Sequence, residues 1–126
     1  MVSKLKQLYE AIYDIVADDQ MSLYEMTNLA PKQTGLEHHI FVSGKGGAKH
    51  GPRIKVSNKK GKFDWNDSYS MSVEHEPKHR AGTIKIPAEQ HEKIRDWVKL
   101  NHDHLHKMWH SDTMDSQDHI DGVKKI

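Results

Sequence analysis

The chain has 126 residues, no cysteine, 35% hydrophobic and 29% charged residues, and a formal net charge of +1. This length accommodates one domain, which we take as residues 1–126, and the missing cysteines exclude disulfide bonds and thiolate metal sites. Residues 1–8 lack the apolar core of a signal peptide, and no apolar run approaches the length of a membrane span. We therefore expect a cytoplasmic protein that does not enter a membrane.

The charge distribution is uneven although the total is close to zero. Residues 38–63, here called the basic segment, contain no Asp or Glu and seven of the 19 Lys and Arg residues. The rest of the chain holds 12 basic and 18 acidic side chains, a net charge of −6. A local positive field attracts anionic partners, so we expect the partner to be nucleic acid or an acidic protein surface.

An N-terminal amphipathic helix is predicted within residues 1–18. Apolar residues recur there at helical spacing between charged ones: Leu5, Leu8, Tyr9, Ile12, Ile15 and Val16. The connector that follows, residues 21–36, is mixed in character. Its apolar residues from Met21 to Met26 favour one short helical turn, which Pro31 and Gly35 then interrupt.

Four strands are predicted within a sheet at residues 38–86. Residues 39–43 are rich in β-branched and aromatic side chains. Apolar side chains alternate with polar ones along residues 53–57, 68–74 and 83–86. Residues 74–80 are interpreted as a charge-rich turn, and residues 77–82 as a loop. In the second strand, Ile54 and Val56 fall on one face. Arg53 and Lys55 fall on the other face, which we expect to point to solvent.

A long C-terminal helix is predicted at residues 88–110, directly after Pro87, which suits the first turn of a helix. Six apolar side chains fall within a sector of about 120°: Ile94, Trp97, Val98, Leu105, Met108 and Trp109. Asn101 lies inside this sector and Leu100 lies outside it. Because a buried amide needs hydrogen-bond partners, we expect Asn101 to bind a loop or a strand edge.

These elements predict an α+β fold with an N-terminal helix, a four-stranded mainly antiparallel sheet and a long C-terminal helix packed on one face. The polar tail, residues 111–126, carries Ile120, Val123 and Ile126 at a spacing that allows it to dock. The N-terminal helix packs either beside the C-terminal helix or on a second copy of the protein. In the second case it forms a homodimer interface, and both arrangements are compatible with the sequence.

The basic segment contains the main candidate for a binding surface. Residues 44–53 read Gly-Lys-Gly-Gly-Ala-Lys-His-Gly-Pro-Arg, and backbone N–H groups in such a glycine-rich turn can surround an anion. The spacing does not match a nucleotide-binding phosphate loop, and the turn joins two strands instead of leading into a helix. A solvated hairpin without a ligand is the alternative. The residues that we expect to contact nucleic acid or a protein partner are Lys45, Lys49, His50, Arg53, Lys55, Lys59, Lys60 and Lys62.

Histidine is frequent, with 11 residues in the chain. His102, His106 and His110 recur at i, i+4 and i+8, and the pair His102 and His106 can chelate a divalent transition metal. The H-E-x-x-H arrangement of zinc proteases is missing, so we expect no cofactor beyond an adventitious divalent metal, and a solvated histidine row is the simpler interpretation. The alternative function is a small metal-dependent hydrolase or nuclease, with His75 or His79 brought near this pair by the fold.

Three stretches of the chain carry a family resemblance. They are Ile-Phe-Val-Ser at residues 40–43 before the glycine-rich loop, His-Gly-Pro-Arg-Ile-Lys-Val at residues 50–56, and Trp-Val-Lys-Leu-Asn at residues 97–101 followed by Trp109. With these motifs, residues 35–109 resemble a family of small uncharacterised bacterial and prophage proteins. The resemblance implies a compact α+β fold and a phage or mobile-element setting, and it carries no established activity. We expect a small non-enzymatic binding protein, a phage-encoded accessory or an inhibitor of host defence, that engages nucleic acid or a nucleic-acid-processing protein through the basic hairpin.

Overall fold

The computed structural model describes residues 26–43, 49–111 and 116–126, without the side chains of residues 26, 43 and 116. The predicted N-terminal helix, the homodimer interface assigned to it and Lys45 lie outside the described residues. No described helix is long and apolar enough to cross a membrane. In chain order the described elements are β1 (Met26–Leu29), α1 (Pro31–Thr34), β2 (His38–Ser43), β3 (Arg53–Lys60), β4 (Ser68–Ser72), β5 (His79–Ala81), α2 (Ala88–Leu100), α3 (His102–His110) and α4 (Ser116–Asp121).

The five described strands form one antiparallel sheet in the order β1-β2-β3-β4-β5. Each strand pairs with its neighbour in the sequence because the connections between them are short. This arrangement confirms the predicted α+β class and its antiparallel meander. The predicted number of four strands is wrong, because the described sheet begins at Met26 and ends at Ala81 instead of extending over residues 38–86.

β1 stands at the end of the short helical turn predicted for the connector. Thr27 pairs with Val42 and Leu29 pairs with Ile40, so both side chains face the core, whereas Asn28 is exposed. This period of two is typical of a strand. The sequence did not predict this strand because the alternation covers only four residues. The apolar residues that precede them suggested a helical turn instead.

β5 lies at His79–Ala81, where a loop was predicted, and residues 83–86 form no strand. The Asn58 side chain binds the backbone of that later stretch. Its Nδ2 donates to Thr83 O at 2.9 Å, and its Oδ1 accepts from Lys85 N at 3.0 Å. The apolar alternation of residues 83–86 was misleading because a side chain, not a neighbouring strand, binds these two backbone groups.

The helix predicted at residues 88–110 is divided at Asn101 into α2 and α3. Asn101 has φ −103° and ψ 13°, away from ideal helical values. Its N–H nevertheless donates to Trp97 O at 3.0 Å, and its O accepts from Leu105 N at 2.9 Å. The two helices therefore share one apolar face. All six apolar residues predicted for that face are buried, and Leu100 is 45% exposed, as predicted.

Asn101 holds the C-terminal tail in place. Its Nδ2 donates to Lys124 O at 3.0 Å, and its Oδ1 accepts from Lys124 N at 2.7 Å. The backbone partner expected for this buried amide is thus a residue of the tail. Ile120 and Val123 pack against the core, as the sequence predicted, whereas Ile126 remains exposed.

The core lies between the sheet and the helices α2 and α3. Its buried side chains from the sheet and the adjoining turns are Leu29, Leu36, Ile40, Val42, Ile54, Val56, Tyr69, Met71, Val73 and Ile86. Its buried side chains from the two helices are Ile94, Trp97, Val98, Leu105 and Met108. The removal of this apolar surface from water is the main favourable contribution to folding.

Arg53 and Lys55 lie on the sheet face opposite the helices, as predicted, but the prediction that they meet solvent is wrong because this part of the face is covered. Arg53 is 6% exposed and Lys55 is 7% exposed. Phe41, which pairs with Lys55, is fully buried beneath Phe63 and Trp65, at ring-centroid distances of 4.2 and 5.4 Å. Lys55 Nζ lies 3.9 Å from the centre of the Trp65 ring. The alternation identified the correct face, but the aromatic turn after β3 folds back over part of it.

Candidate functional site

β3 divides the basic segment into separate parts. The described basic residues comprise Lys49 and His50 before the strand, Arg53 and Lys55 buried within it, and Lys59, Lys60 and Lys62 at its far end. Seven residue steps separate Arg53 from Lys60, a distance of roughly 23 Å at the rise of a β-strand. The basic segment therefore presents two groups of charges at opposite ends of β3 instead of one continuous positive surface.

The group at the far end of β3 is largely ion-paired. Lys59 Nζ lies 2.6 Å from Asp64 Oδ2, and Lys60 Nζ lies 3.3 Å from Glu37 Oε1. The hydrogen bond between Lys59 and Asp64 raises the pKa of the lysine and lowers the pKa of the carboxyl. Lys62 is exposed and meets no carboxylate of the described residues. Exposed ion pairs are individually weak, but these carboxylates reduce the positive charge at this end.

A pocket of about 410 Å³ lies at the other end of β3, at the foot of the β2–β3 hairpin. Its charged and polar lining comes from four separate stretches of chain: His50, Arg53, Ser72, Glu74, Arg80 and His106. We call these six residues the hairpin pocket. The pairing of β3 with β4 places Arg53 opposite Ser72. β5 supplies Arg80, and α3 supplies His106.

The hairpin pocket is predominantly basic. Arg53 and Arg80 carry permanent positive charges, and among the described residues Glu74 is the carboxylate of the lining. Glu74 Oε2 accepts a hydrogen bond from Ser72 Oγ at 2.7 Å and lies 3.7 Å from Arg80 NH2. The described lining therefore holds two arginines and one glutamate.

Two histidines line the pocket in fixed orientations. His50 Nδ1 donates to Gly51 O at 2.7 Å, and the His50 ring packs on Trp109 with centroids 5.3 Å apart. His106 Nε2 donates to Val73 O at 2.9 Å. Because a carbonyl oxygen only accepts hydrogen bonds, these two nitrogens carry the hydrogen, and the other nitrogen of each neutral ring is an acceptor.

The fold also stacks four histidine rings into a column along α3: His75, His102, His106 and His110. Their successive ring centroids are 4.2, 4.4 and 6.1 Å apart. We call these residues the histidine column. The fold thus places His75 beside the predicted metal-binding pair. His79 lies outside the column, with its ring centroid 6.2 Å from that of Tyr69.

Neighbouring rings of the histidine column are stacked or tilted, with interplanar angles of 17°, 37° and 31°. Imidazole nitrogens bind a metal in the plane of the ring, so ligand rings must direct their edges at a common point. The rings of His75 and His102 are within 17° of parallel. His102 Nδ1 lies 3.0 Å from Asp103 Oδ1, and His106 Nε2 is bonded to Val73 O. In the described part of the chain no three His, Asp or Glu side chains are placed to hold a metal ion. Metal binding by His102 and His106 stays a prediction.

Other histidines join backbone segments. His38 Nδ1 donates to Ser57 O at 2.9 Å and links β2 to β3. His104 Nε2 donates to His119 O at 2.8 Å and links α3 to α4. These contacts give structural roles to part of the histidine content without a ligand.

Three residues of the hairpin pocket were missed as site residues: Ser72, Glu74 and Arg80. Glu74 and Arg80 were assigned to a charge-rich turn, although Arg80 belongs to β5. The available signal was the alternation in β4, because Met71 and Val73 point to the core and so direct Ser72 to the other face. Arg80 could not be placed beside it without the pairing of β4 with β5.

Comparison of the chain with protein-family models, with curated proteins and with solved structures finds no match. The resemblance to small bacterial and prophage proteins therefore stays a prediction. The chemistry of the hairpin pocket is the basis for a functional proposal.

Proposed function

We propose that the protein is a small non-enzymatic nucleic-acid-binding protein whose hairpin pocket binds a phosphate group. The observation that carries the proposal is the convergence of Arg53, Arg80, His50 and His106 on one pocket of about 410 Å³. A guanidinium group presents several N–H donors in one plane and binds phosphate oxygens in pairs. Lys49 is exposed next to this lining in the chain and adds attraction at longer range.

A phosphate suits this lining better than a carboxylate of an acidic protein does. The oxygens of a phosphate are arranged tetrahedrally, so they can accept hydrogen bonds from several sides, whereas a carboxylate is flat. The pocket offers guanidinium donors from two different strands, Arg53 of β3 and Arg80 of β5. A binding protein of this kind would suit the phage or mobile-element setting that the resemblance implies.

The basic group at the far end of β3 would contact a different phosphate of the same strand. The distance of roughly 23 Å along β3 corresponds to roughly seven nucleotide steps at the spacing of a duplex strand. Lys62 is the member of that group without a carboxylate partner in the described residues. A strand with duplex spacing needs about eight nucleotides to engage both groups, and a more extended single strand needs fewer.

The test is the binding of single strands of DNA and RNA of about twelve nucleotides, measured by fluorescence anisotropy between about 50 and 200 mM KCl. Affinity is expected to fall steeply with salt, because each phosphate contact releases a condensed counterion. Lys49→Gln and Arg80→Gln are each expected to weaken binding and to reduce the salt slope by about one. No binding at the lowest salt would overturn the proposal.

Lys93→Gln is the matched control for these charge removals. Lys93 is exposed on α2 and precedes His106 by thirteen residues, roughly 20 Å along the helices. Its substitution removes the same charge from a different surface, so affinity and salt slope should be retained. An equal loss in this variant would attribute binding to net charge alone and contradict the assignment to the pocket. Arg53 is unsuitable for this test because it is buried, and its removal would also destabilise the fold.

A further inference from the structure

We propose that Phe63, in the aromatic turn after β3, stacks on an unpaired base, so that the protein prefers single-stranded nucleic acid to a duplex. This inference rests on the proposed function and names the class of nucleic acid. The bases of a duplex are paired and stacked on one another, whereas those of a single strand can turn outward and lie on an aromatic side chain. The two ligands therefore differ in whether the face of a base is accessible to the protein.

The exposure of Phe63 sets it apart from the other aromatic rings. Of the phenylalanine, tyrosine and tryptophan side chains in the described residues, Phe63 alone is exposed, at 46%. Trp65 is half-buried, and Lys55 Nζ lies 3.9 Å from the centre of its ring. The other exposed large apolar side chains that the structure describes are aliphatic and offer no π-face: Ile84, Leu100 and Ile126. In this part of the chain Phe63 is therefore the ring that a base can reach.

The ring of Phe63 is held in place on the sheet. Its centroid lies 4.2 Å from that of Phe41, at an interplanar angle of 70°, and 6.4 Å from that of His39, at 85°. Both contacts are edge-to-face, which is one of the preferred arrangements of aromatic pairs. His39 Nδ1 in turn lies 3.1 Å from Asn28 Oδ1, which links this surface to β1. A ring that is already fixed loses little conformational entropy when a base stacks on it.

Basic side chains lie close to Phe63. Lys62 is exposed beside it in the chain and meets no carboxylate of the described residues. Lys60 pairs with His38, and Phe41, which Phe63 covers, lies three residues further along β2, roughly 10 Å at the rise of a strand. This separation corresponds to about three nucleotide steps at duplex spacing and to fewer in an extended strand. The lysines can therefore bind phosphates of the same short stretch whose base stacks on Phe63.

The experiment compares three ligands of about twelve nucleotides by fluorescence anisotropy at about 50 mM KCl. They are a single strand, its duplex with the complementary strand, and a strand of abasic sugar-phosphate units. We expect the single strand to bind about tenfold more tightly than either of the other two. Phosphate contacts alone would favour the duplex, because its charge density is higher. A duplex or an abasic strand that binds as tightly as the single strand would overturn base stacking and leave the proposed function intact, whereas no binding of any ligand would remove both.

Substitutions of Phe63 locate the contact. Phe63→Leu keeps an apolar side chain over Phe41 but removes the ring, so the single strand should lose its advantage of about tenfold while the abasic strand binds as before. Phe63→Trp keeps a ring for stacking and should retain the preference. A preference that survives in Phe63→Leu would overturn the assignment to this ring. If Phe63→Leu does not fold, the comparison of the single strand with the abasic strand in the unchanged protein still decides whether a base is bound.

Leu100→Ala is the matched control. It also removes part of an exposed apolar side chain, from α2, where Leu100 is 45% exposed. Its affinities for all three ligands should be those of the unchanged protein. Sedimentation at two protein concentrations tests the other occupant of this surface, a second copy of the chain. Self-association that Phe63→Leu abolishes, without a preference for the single strand, would assign the ring to that contact and overturn the proposal.

Discussion

Replacing Asn101 by alanine tests how the C-terminal tail is attached to the helices. Asn101 is 2% exposed, and its side chain makes three hydrogen bonds, two with Lys124 and one with Trp97 O. Trp97 O also accepts from Asn101 N, so that carbonyl keeps a partner in the variant. The backbone N–H and C=O of Lys124 lose the partner that binds the tail.

The magnitude follows from the two bonds with Lys124. A typical intramolecular hydrogen bond contributes roughly 1 kcal/mol net, and an incompletely satisfied backbone group adds to the loss. We therefore expect Asn101→Ala to lower the free energy of unfolding by about 2–3 kcal/mol. For a domain of this size the melting temperature should fall by roughly 10 °C. Leu100→Ala is the control, because the neighbouring side chain is 45% exposed and its loss should cost less than about 0.5 kcal/mol.

A double-mutant cycle with a chain that ends at Gly122 tests the assignment to the tail. The truncated protein lacks Lys124, so Asn101→Ala should cost no more than about 1 kcal/mol in that background. Urea unfolding of the four proteins gives the coupling free energy, which we expect to be about 2 kcal/mol. If Asn101→Ala cost the same in both backgrounds, the amide would not stabilise the fold through the tail, and the reasoning would be refuted.

Two further predictions concern a turn and a titrating group. A Cβ on Gly82, which has φ +79°, would lie 2.5 Å from Ser68 O, so Gly82→Ala should cost about 2–3 kcal/mol in urea unfolding. Gly61→Ala, at φ +65° with open space around it, should cost about 1 kcal/mol, and equal losses would contradict the steric argument. Burial holds the pKa of His91 below its ordinary 6.5, so the unfolded chain binds this proton more readily than the folded chain does. The contribution of His91 to the free energy of unfolding should therefore be constant above that pH and fall as the pH drops through it. His91→Gln should flatten this part of the stability profile between about pH 7.5 and 5.5, and a steeper profile would contradict the sign.

The fold could be predicted from the sequence where a pattern covered many residues. In the C-terminal helix the helical period extends over more than ten residues. It therefore predicted the burial of six apolar side chains and of Asn101 correctly. β1 and β5 failed because they contain four and three residues. At that length the pairing with β2 and β4 decides the structure, and this pairing cannot be read from a single strand.

The candidate site was only partly predictable. The charge count identified the basic segment, and the alternation placed Arg53 and Lys55 on one face of β3. Neither observation could show that the turn containing Phe63 and Trp65 folds back over that face. This depends on contacts of the two aromatic rings with Phe41 and Lys55, which lie on other segments of the chain. The hairpin pocket could not be predicted for the same reason. Arg80 lies near the foot of the hairpin because β5 pairs with β4 and β4 pairs with β3, and the sequence does not show this pairing.

α3 connects the histidine content of the sequence to the hairpin pocket. His106 binds Val73 O at the end of β4, and Trp109 packs on His50 at the foot of the hairpin. One nitrogen of the His106 ring donates to Val73 O and fixes the side chain, and the ring lines the hairpin pocket. A lysine at this position would carry charge, but it could not stack at 4.4 Å on His102 in a single orientation. Histidine is therefore suited to position 106 because its ring donates to Val73 O and packs on His102 while it lines the hairpin pocket.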